Sequence, residues 1–279
     1  MNQLEKAIRF QALHQREKAF VIPNPWDAGT ARILASLGFE ALATTSAGLA
    51  FSLGRRDAEG ALTRTETLAN AQLIVAATDL PVAADLENGF GDAPEVVAET
   101  IHLAAECGLV GGSIEDATGQ KEHPIYDFSL SVERIAAAAE SARNLPFPFV
   151  LVARAENFLH GKPDLDETIR RLQAYEAAGA DVLFAPGLPD AAAIREVCSA
   201  VTKPVNVVMG LRGYPYTMEQ LTALGVRRVS LGSSLSRAAL SGLINAAREI
   251  IDDGTFSFAS KSISFDETNA LMVKSPGYS

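Results

Sequence analysis

The groups best suited to chemistry gather in Val82-Ala83-Ala84-Asp85-Leu86-Glu87-Asn88-Gly89-Phe90-Gly91. An apolar run after Pro81 reads as a buried parallel strand. It ends in two carboxylates, Asp85 and Glu87, just before a turn carrying Gly89 and Gly91. Residues i and i+2 of a strand share one side, so both acids converge on one point. Two anionic groups there repel unless a proton or a cation lies between them. A hard divalent ion such as Mg²⁺ takes oxygen ligands and keeps several waters, which makes it the natural occupant. The alternative is a pair of solvated loop acids. Glu115 and Asp116 end a neighbouring apolar segment, and with Asp85 and Glu87 they offer a cradle of three or four acids, direct or through water. Arg154 ends a third segment, and a buried guanidinium there needs an anion. That anion is either Glu156 or Glu115 in a salt bridge, or a substrate carboxylate held by two parallel hydrogen bonds.

What must position these groups is a repeated unit. Leu37-Gly38-Phe39, Cys107-Gly108-Leu109, Ala178-Gly179-Ala180 and Leu224-Gly225-Val226 each join a helical pattern to a short apolar strand. Glycine just past a helix supplies the left-handed cap, and the recurrence marks a βα array with a parallel sheet. The strands are predicted at Phe20–Pro23, Ala41–Thr45, Val82–Asp85, Gly112–Glu115, Phe149–Arg154, Val182–Ala185, Val205–Val208 and Arg228–Leu231. Helical patterns fall between them at Ala28–Leu37, Thr65–Ala77, Ala93–Cys107, Ser131–Ala142, Leu165–Ala178, Ala191–Ala200 and Met218–Leu224. This is the pattern of a (β/α)8 TIM barrel, one domain over residues 1–279. A doubly wound open sheet would want a Gly-rich loop after the first strand, where Asn24-Pro25-Trp26-Asp27 stands instead. After the last strand, Leu235–Asp252 reads as a long helix, and from about residue 240 the chain is a C-terminal helical extension. Phe256, Phe258, Ile263, Phe265 and Leu271 in that tail need cover, which points to a homo-oligomer.

Bulk properties exclude several function classes. The 279 residues are 48% hydrophobic and 21% charged, with a formal net charge of −10. Such a balance describes a globular protein and argues against nucleic-acid or anionic-membrane partners. No apolar run reaches membrane-spanning length, and the first residues read as a charged helix rather than a signal peptide, so the cytoplasm is the expected compartment. Cys107 and Cys198 lack metal or disulfide spacing and are expected to be buried, inert thiols.

Barrel enzymes work at the C-terminal ends of their strands, which puts Trp26, Thr45, Ser46, Ala47, Gly48 and Asn206 beside the acids. Ser46-Ala47-Gly48-Leu49 is small enough for backbone to approach an anion, or is a plain βα turn. Asp57 follows Arg55-Arg56 in a loop, where it is either functional or simply solvated. Ala117–Phe128 is long and polar, reading as a mobile lid or a static surface loop. Its Glu122, His123 and Tyr126 are proton-donor candidates. Gly232-Ser233-Ser234 before a helix is a possible phosphate site, with nothing else in the chain demanding one.

With these motifs assembled, the chain resembles the isocitrate lyase / phosphoenolpyruvate mutase superfamily over residues 10–240. The resemblance rests on Asn24-Pro25-Trp26-Asp27, Ser46-Ala47-Gly48-Leu49, Arg55-Arg56-Asp57, the Asp85–Gly91 segment, Ile114-Glu115-Asp116 and Ala153-Arg154. It implies Mg²⁺ or Mn²⁺ on Asp85, Glu87 and Glu115, largely through waters. It also implies a substrate carboxylate on Ser46, Ala47 and Gly48, Arg154 on the substrate oxygens, and Asp57 near the reacting centre. A C-terminal helix exchanged between subunits and a dimer of dimers come with it. The lid departs from the family. Gln120-Lys121-Glu122-His123-Pro124 stands where isocitrate and methylisocitrate lyases carry a catalytic cysteine. Ala117 follows Asp116 where phosphonopyruvate mutases have lysine. The chain therefore resembles the α-oxocarboxylate lyase-like members. The expected activity is Mg²⁺-dependent carbon–carbon cleavage of a small 2-oxo or 2-hydroxy di- or tricarboxylate through an enolate. Phosphonopyruvate hydrolysis, oxo-acid decarboxylation and a catalytically silent carboxylate-binding barrel are the alternatives.

Overall fold

The computed structural model describes residues 1–57, 60–211 and 216–273. Eight parallel strands, β1 (Phe20–Ile22), β2 (Leu42–Ala43), β3 (Val82–Asp85), β4 (Gly111–Glu115), β5 (Val150–Arg154), β6 (Val182–Phe184), β7 (Val205–Val208) and β8 (Arg228–Ser230), form one sheet. Its order is β1-β8-β7-β6-β5-β4-β3-β2. The β1/β2 seam is joined by the Ala43 N–H donating to Pro23 O at 3.1 Å. This is the predicted (β/α)8 TIM barrel, with strand positions shifted by a residue or two at their ends.

The helices are α1 (Gln3–His14), α2 (Ala28–Ser36), α3 (Ser46–Ser52), α4 (Arg64–Ala77), α5 (Pro94–Glu106), α6 (Phe128–Arg143), α7 (Leu165–Ala178), α8 (Ala191–Ala200), α9 (Met218–Ala223), α10 (Ser234–Asp253) and α11 (Phe265–Leu271). Asp27, Thr63, Asp164, Asp190 and Thr217 cap five of them, each side chain accepting from an N–H three residues on. Such caps satisfy orphan donors and fix where each helix begins. One departure from the sequence reading lies at Ser46–Ser52, expected as a turn and found as a helix capped by Thr45. Gly48 permits it, because a Cβ there would sit 2.5 Å from Thr45 Cγ2 and 2.9 Å from Trp26 Cβ.

Strand alternation splits the core into two layers. Val82, Ala84, Leu86, Ile114, Leu151, Ala153, Leu183, Val207 and Val229 face the helices. Phe20, Ile22, Ala43, Ala83, Val150, Val152, Val182 and Phe184 face the barrel axis. The amphipathic α1 plugs the end where strands begin, burying Ala7, Phe10 and Leu13 among the axial residues. Gly111 makes room for it, since a Cβ would lie 2.8 Å from Phe10 Cε1. The seam at the opposite end is held by Asn24, which is buried. Its amide donates to Thr44 O at 2.9 Å, and its oxygen accepts from Leu231 N at 2.8 Å and Gly232 N at 3.0 Å.

The C-terminal extension divides in two. Met272, just past α11, packs back on α2, its carbonyl accepting from Arg32 and its sulfur lying near Gly29. By contrast α10 has Ser236 as its one buried residue and exposes Leu240, Leu243, Ile244, Ile250 and Ile251. Among the described residues no helix is long and apolar enough to cross a membrane.

Asn24→Ala strands two donors and one acceptor in a buried setting. The expected loss is on the order of 3 kcal/mol, read from denaturant unfolding. A change within experimental error would show that the seam does not depend on this side chain.

Candidate active site

The C-terminal ends of β3, β4 and β5 meet around one cation. Arg154 Nη1 reaches Asp85 Oδ1 at 3.0 Å and Glu115 Oε2 at 3.1 Å. Its Nε and Nη2 both bind Glu156 Oε1, at 2.8 and 2.7 Å. Guanidinium has five N–H donors, so among the described residues one hydrogen on Nη2 is left uncommitted. The plane lies 5.1 Å from the centroid of Phe184, which forms part of the pocket wall. Sequence reasoning left Arg154 open between salt bridge and substrate; the structure shows the salt bridge, to both predicted acids and to Asp85 as well.

Asp85 is held on its other oxygen by Ser46, through N at 3.1 Å and Oγ at 2.9 Å. Glu87 follows it at a left-handed φ of +48°, a conformation a non-glycine residue holds only when its surroundings enforce it. Among the described residues no donor reaches the Glu87 carboxylate. Burial, then repulsion from Asp85 and Asp57, pushes Glu87 up to about 7, against the pull of Arg154. Glu115 is also raised well above the usual carboxylate range, chiefly by burial, with Arg154 opposing. Glu156 is raised for the same reason. One guanidinium thus serves a set of acids it cannot neutralise. Among the described residues no three His, Cys, Asp or Glu side chains form a ready-made cage for an ion.

Two connected openings expose this cluster. The outer one, about 830 Å³, is lined by Ser46, Asp57, Glu87, Glu115, Arg154 and Glu156, among others. The inner one, about 190 Å³, runs into the barrel past Thr45, Ser46, Ala47, Asp85 and Arg154 to Asn206, Ser230 and Arg228. The N–H of Ala47, in the first turn of α3, has no acceptor among the described residues and lines this inner space.

Comparison with known proteins assigns the chain to a family. The family model described as phosphoenolpyruvate phosphomutase matches residues 10–251. The chain belongs to that family. The crystal structure of a Burkholderia cenocepacia J2315 protein, provisionally named a lyase/mutase, is 59% identical, covers 96% of this chain and 95% of its own, and superposes with a TM-score of 0.94. The 2,3-dimethylmalate lyase of Eubacterium barkeri is 30% identical over 96% of this chain and 94% of its own. An oxaloacetate decarboxylase of Ectopseudomonas mendocina is 32% identical over 86% and 82%.

Within this family fold, Thr45, Ser46, Ala47, Asp57, Asp85, Arg154 and Asn206 line the inner space, and Glu87 and Glu115 the outer one. Other expected residues lie elsewhere. Trp26 lines neither opening; its Cβ abuts Gly48 and its carbonyl accepts from Asn70. Glu122 and His123 are exposed on the loop after β4 and do not line the openings. Tyr126 is buried with its hydroxyl donating to Asp92 and accepting from Asn88, and burial pushes it up to about 12. Asp116 was grouped with the acid cradle, but alternation turns it away from Glu115. It accepts from Glu156 N at 2.8 Å, Arg171 Nη1 at 3.0 Å and Tyr175 Oη at 2.6 Å. Glu156 is the participant that sequence reasoning undervalued; its i+2 spacing from Arg154 was the available signal. Cys107 and Cys198 are half-buried, lie outside both openings, and have thiols pushed up by burial.

The raised Glu87 sets a pH dependence. A carboxyl that holds its proton more tightly when folded costs stability as pH rises from about 4.5 to about 7, and the cost is complete above that window. In chelator-treated protein, Glu87→Gln should raise the thermal midpoint at pH 8 and leave it nearly unchanged at pH 4.5. Equal shifts at both pH values would mean that the carboxylate is not desolvated.

Proposed function

We propose that this protein is a divalent-metal-dependent carbon–carbon lyase acting on a small 2-oxo or 2-hydroxy di- or tricarboxylate. The observation that carries the reading is the charge imbalance at the β3, β4 and β5 ends. Asp85, Glu87, Glu115 and Glu156 crowd one arginine, and Glu87 has no donor among the described residues. The donor set is all oxygen, as a hard cation requires. Mg²⁺, or Mn²⁺ in its place, fits on Asp85, Glu87 and Glu115 through bridging waters, which suits a set of acids with no direct cage among the described residues. When bound, the ion supplies a Lewis acid next to the scissile bond and relieves the repulsion among the acids.

The chain's own groups do the rest. The Ala47 N–H, with Ser46 and Gly48 beside it in the first turn of α3, receives the substrate carboxylate. Arg154 contributes its uncommitted Nη2 hydrogen to the substrate oxygens, and its links to three strand ends hold that hydrogen in place. Asp57, at the junction of the two openings, lies near the reacting centre. Developing negative charge on the leaving fragment is met by donors already oriented, so little reorganisation is needed. Glu122 and His123 serve as proton donors only if the loop after β4 folds over the opening. Decarboxylation of an oxo-acid passes through the same charge pattern, and the oxaloacetate decarboxylase relative keeps it as the second reading.

A panel of 2-oxo and 2-hydroxy acids, scanned for pyruvate or glyoxylate with and without Mg²⁺, tests the assignment. We expect release from one of them that depends on the ion. Asp85→Ala or Arg154→Ala should lower turnover by about 10²- to 10³-fold or more; full activity in either would refute these roles. Phosphate release from phosphonopyruvate would instead establish phosphorus–carbon hydrolysis, and no product from any acid would make the barrel a silent binder. We also propose that the apolar face of α10 is covered in a homo-oligomer, built as a dimer of dimers with this helix exchanged. Leu243→Glu with Ile251→Glu should then reduce the sedimenting mass, whereas a wild-type monomer would end that idea.

A further inference from the structure

Arg228 presents a buried charge that the catalytic reading does not use. It opens β8 and points toward the barrel axis, whereas its neighbour Arg227 bonds the nearby Gly225 and Val226 carbonyls. Arg228 is 5% exposed. Among the described residues its Nε and Nη1 have no hydrogen-bond partner. Phe10 of the α1 plug lies 5.9 Å from its guanidinium, centroid to carbon. His14, the nearest titratable neighbour on that side, is held neutral because burial pushes it down to about 3. On the other side Arg228 lines the inner chamber with Asn206, Ser230 and Ser113. The Asn206 amide donates to Ser230 Oγ at 3.0 Å, and its Oδ1 is also buried without a partner among the described residues.

A guanidinium stays protonated near neutral pH even in such a place. Burial pulls Arg228 down to about 9, and among the described residues no carboxylate opposes it. Leaving an ion unpaired inside a protein costs several kcal/mol. Asp85 and Asp57 line the far, outer part of the same chamber, and Asp85 is already held by Arg154 and Ser46. The space exists because axis-facing positions above Arg228 are Ala43 on β2, Ala83 on β3 and Ser113 on β4 rather than large side chains. Its volume of about 190 Å³ exceeds the ≈ 30 Å³ share of one water.

We propose that the barrel interior holds a binding site for a small monovalent anion of carboxylate type, with Arg228 as the charge that receives it. Asn206 Oδ1 takes a hydrogen bond from water entering with the anion. The occupant is either a free anion or the inner carboxylate of a bound substrate, and both present the same group to Arg228. The site rests on burial and missing partners, so it stands independently of the lyase reading.

Formate is the probe, with gluconate, a bulky six-carbon carboxylate, as the reference at equal ionic strength. Wild-type protein should gain thermal midpoint in formate over gluconate, saturably, because a ligand that binds only the folded state stabilises it by mass action. Arg228→Lys should keep the response with a weaker half-saturation. Arg228→Met should lose it, while its midpoint in gluconate equals or exceeds the wild type, since an uncompensated charge has gone. The proposal is overturned if formate and gluconate act alike on the wild type, which would leave water alone in the chamber. It is equally overturned if Arg228→Met responds as the wild type does. Calorimetry with oxalate separates the two sources. A dissociation constant that rises with added formate assigns the site to a substrate carboxylate, and independent binding assigns it to a free anion.

Discussion

Arg154 among its carboxylates is the constraint on which the upper end of this barrel depends. The guanidinium joins the ends of β3, β4 and β5 through Asp85, Glu115 and Glu156. Such a pairing is worth little as net stability, because desolvating the ions offsets their attraction. Its effect is positional: three strand ends and the α3 turn are fixed relative to one another. It is also incomplete as charge balance, and the surplus makes the carboxyls hold their protons more tightly than usual. Glu87 shows this surplus most clearly, being raised by burial and by its acid neighbours at a backbone angle glycine would favour.

Behind this front a second polar layer holds the first in place. Asp116 faces away from the opening and ties β4, the end of β5 and α7 together through Glu156 N, Arg171 and Tyr175. Arg134 of α6 donates to the Asn88, Gly91 and Asp92 carbonyls and lies over the Tyr126 ring. The turn after β3, including left-handed Phe90, is thereby over-determined by its surroundings, as strained functional segments must be. Fully satisfied buried networks of this kind specify one arrangement, and catalysis by preoriented groups requires that.

The barrel interior follows a different logic. Its lower half is apolar and closed by Phe10 and Leu13 of α1, while its upper half is hollow and polar. Ala43 on β2, Ala83 on β3 and Ser113 on β4 leave the hollow, and Arg228 charges it. Stability therefore comes from the outer layer between strands and helices and from the α1 plug, leaving the axis above them free for ligand.

Much of this protein was legible in its sequence because the information is local. Strand position follows from short apolar runs, helix ends from glycine and capping residues, and convergence of Asp85 with Glu87 from the two-residue period. The clustering of acids with Arg154 followed from the barrel rule that strand ends share one mouth. Tertiary packing alone decided the rest. Whether Arg154 is paired, which way Asp116 turns, and whether Ser46–Ser52 is a turn or a helix depend on residues far apart in the chain. Asn24 follows the first strand in sequence and serves as a seam clasp, because its partners, Thr44 and Leu231, come together only when the barrel closes. Arg228 is indistinguishable from Arg227 in the sequence; only closure of the sheet puts one of them on the axis, buried and with two guanidinium nitrogens unpartnered among the described residues.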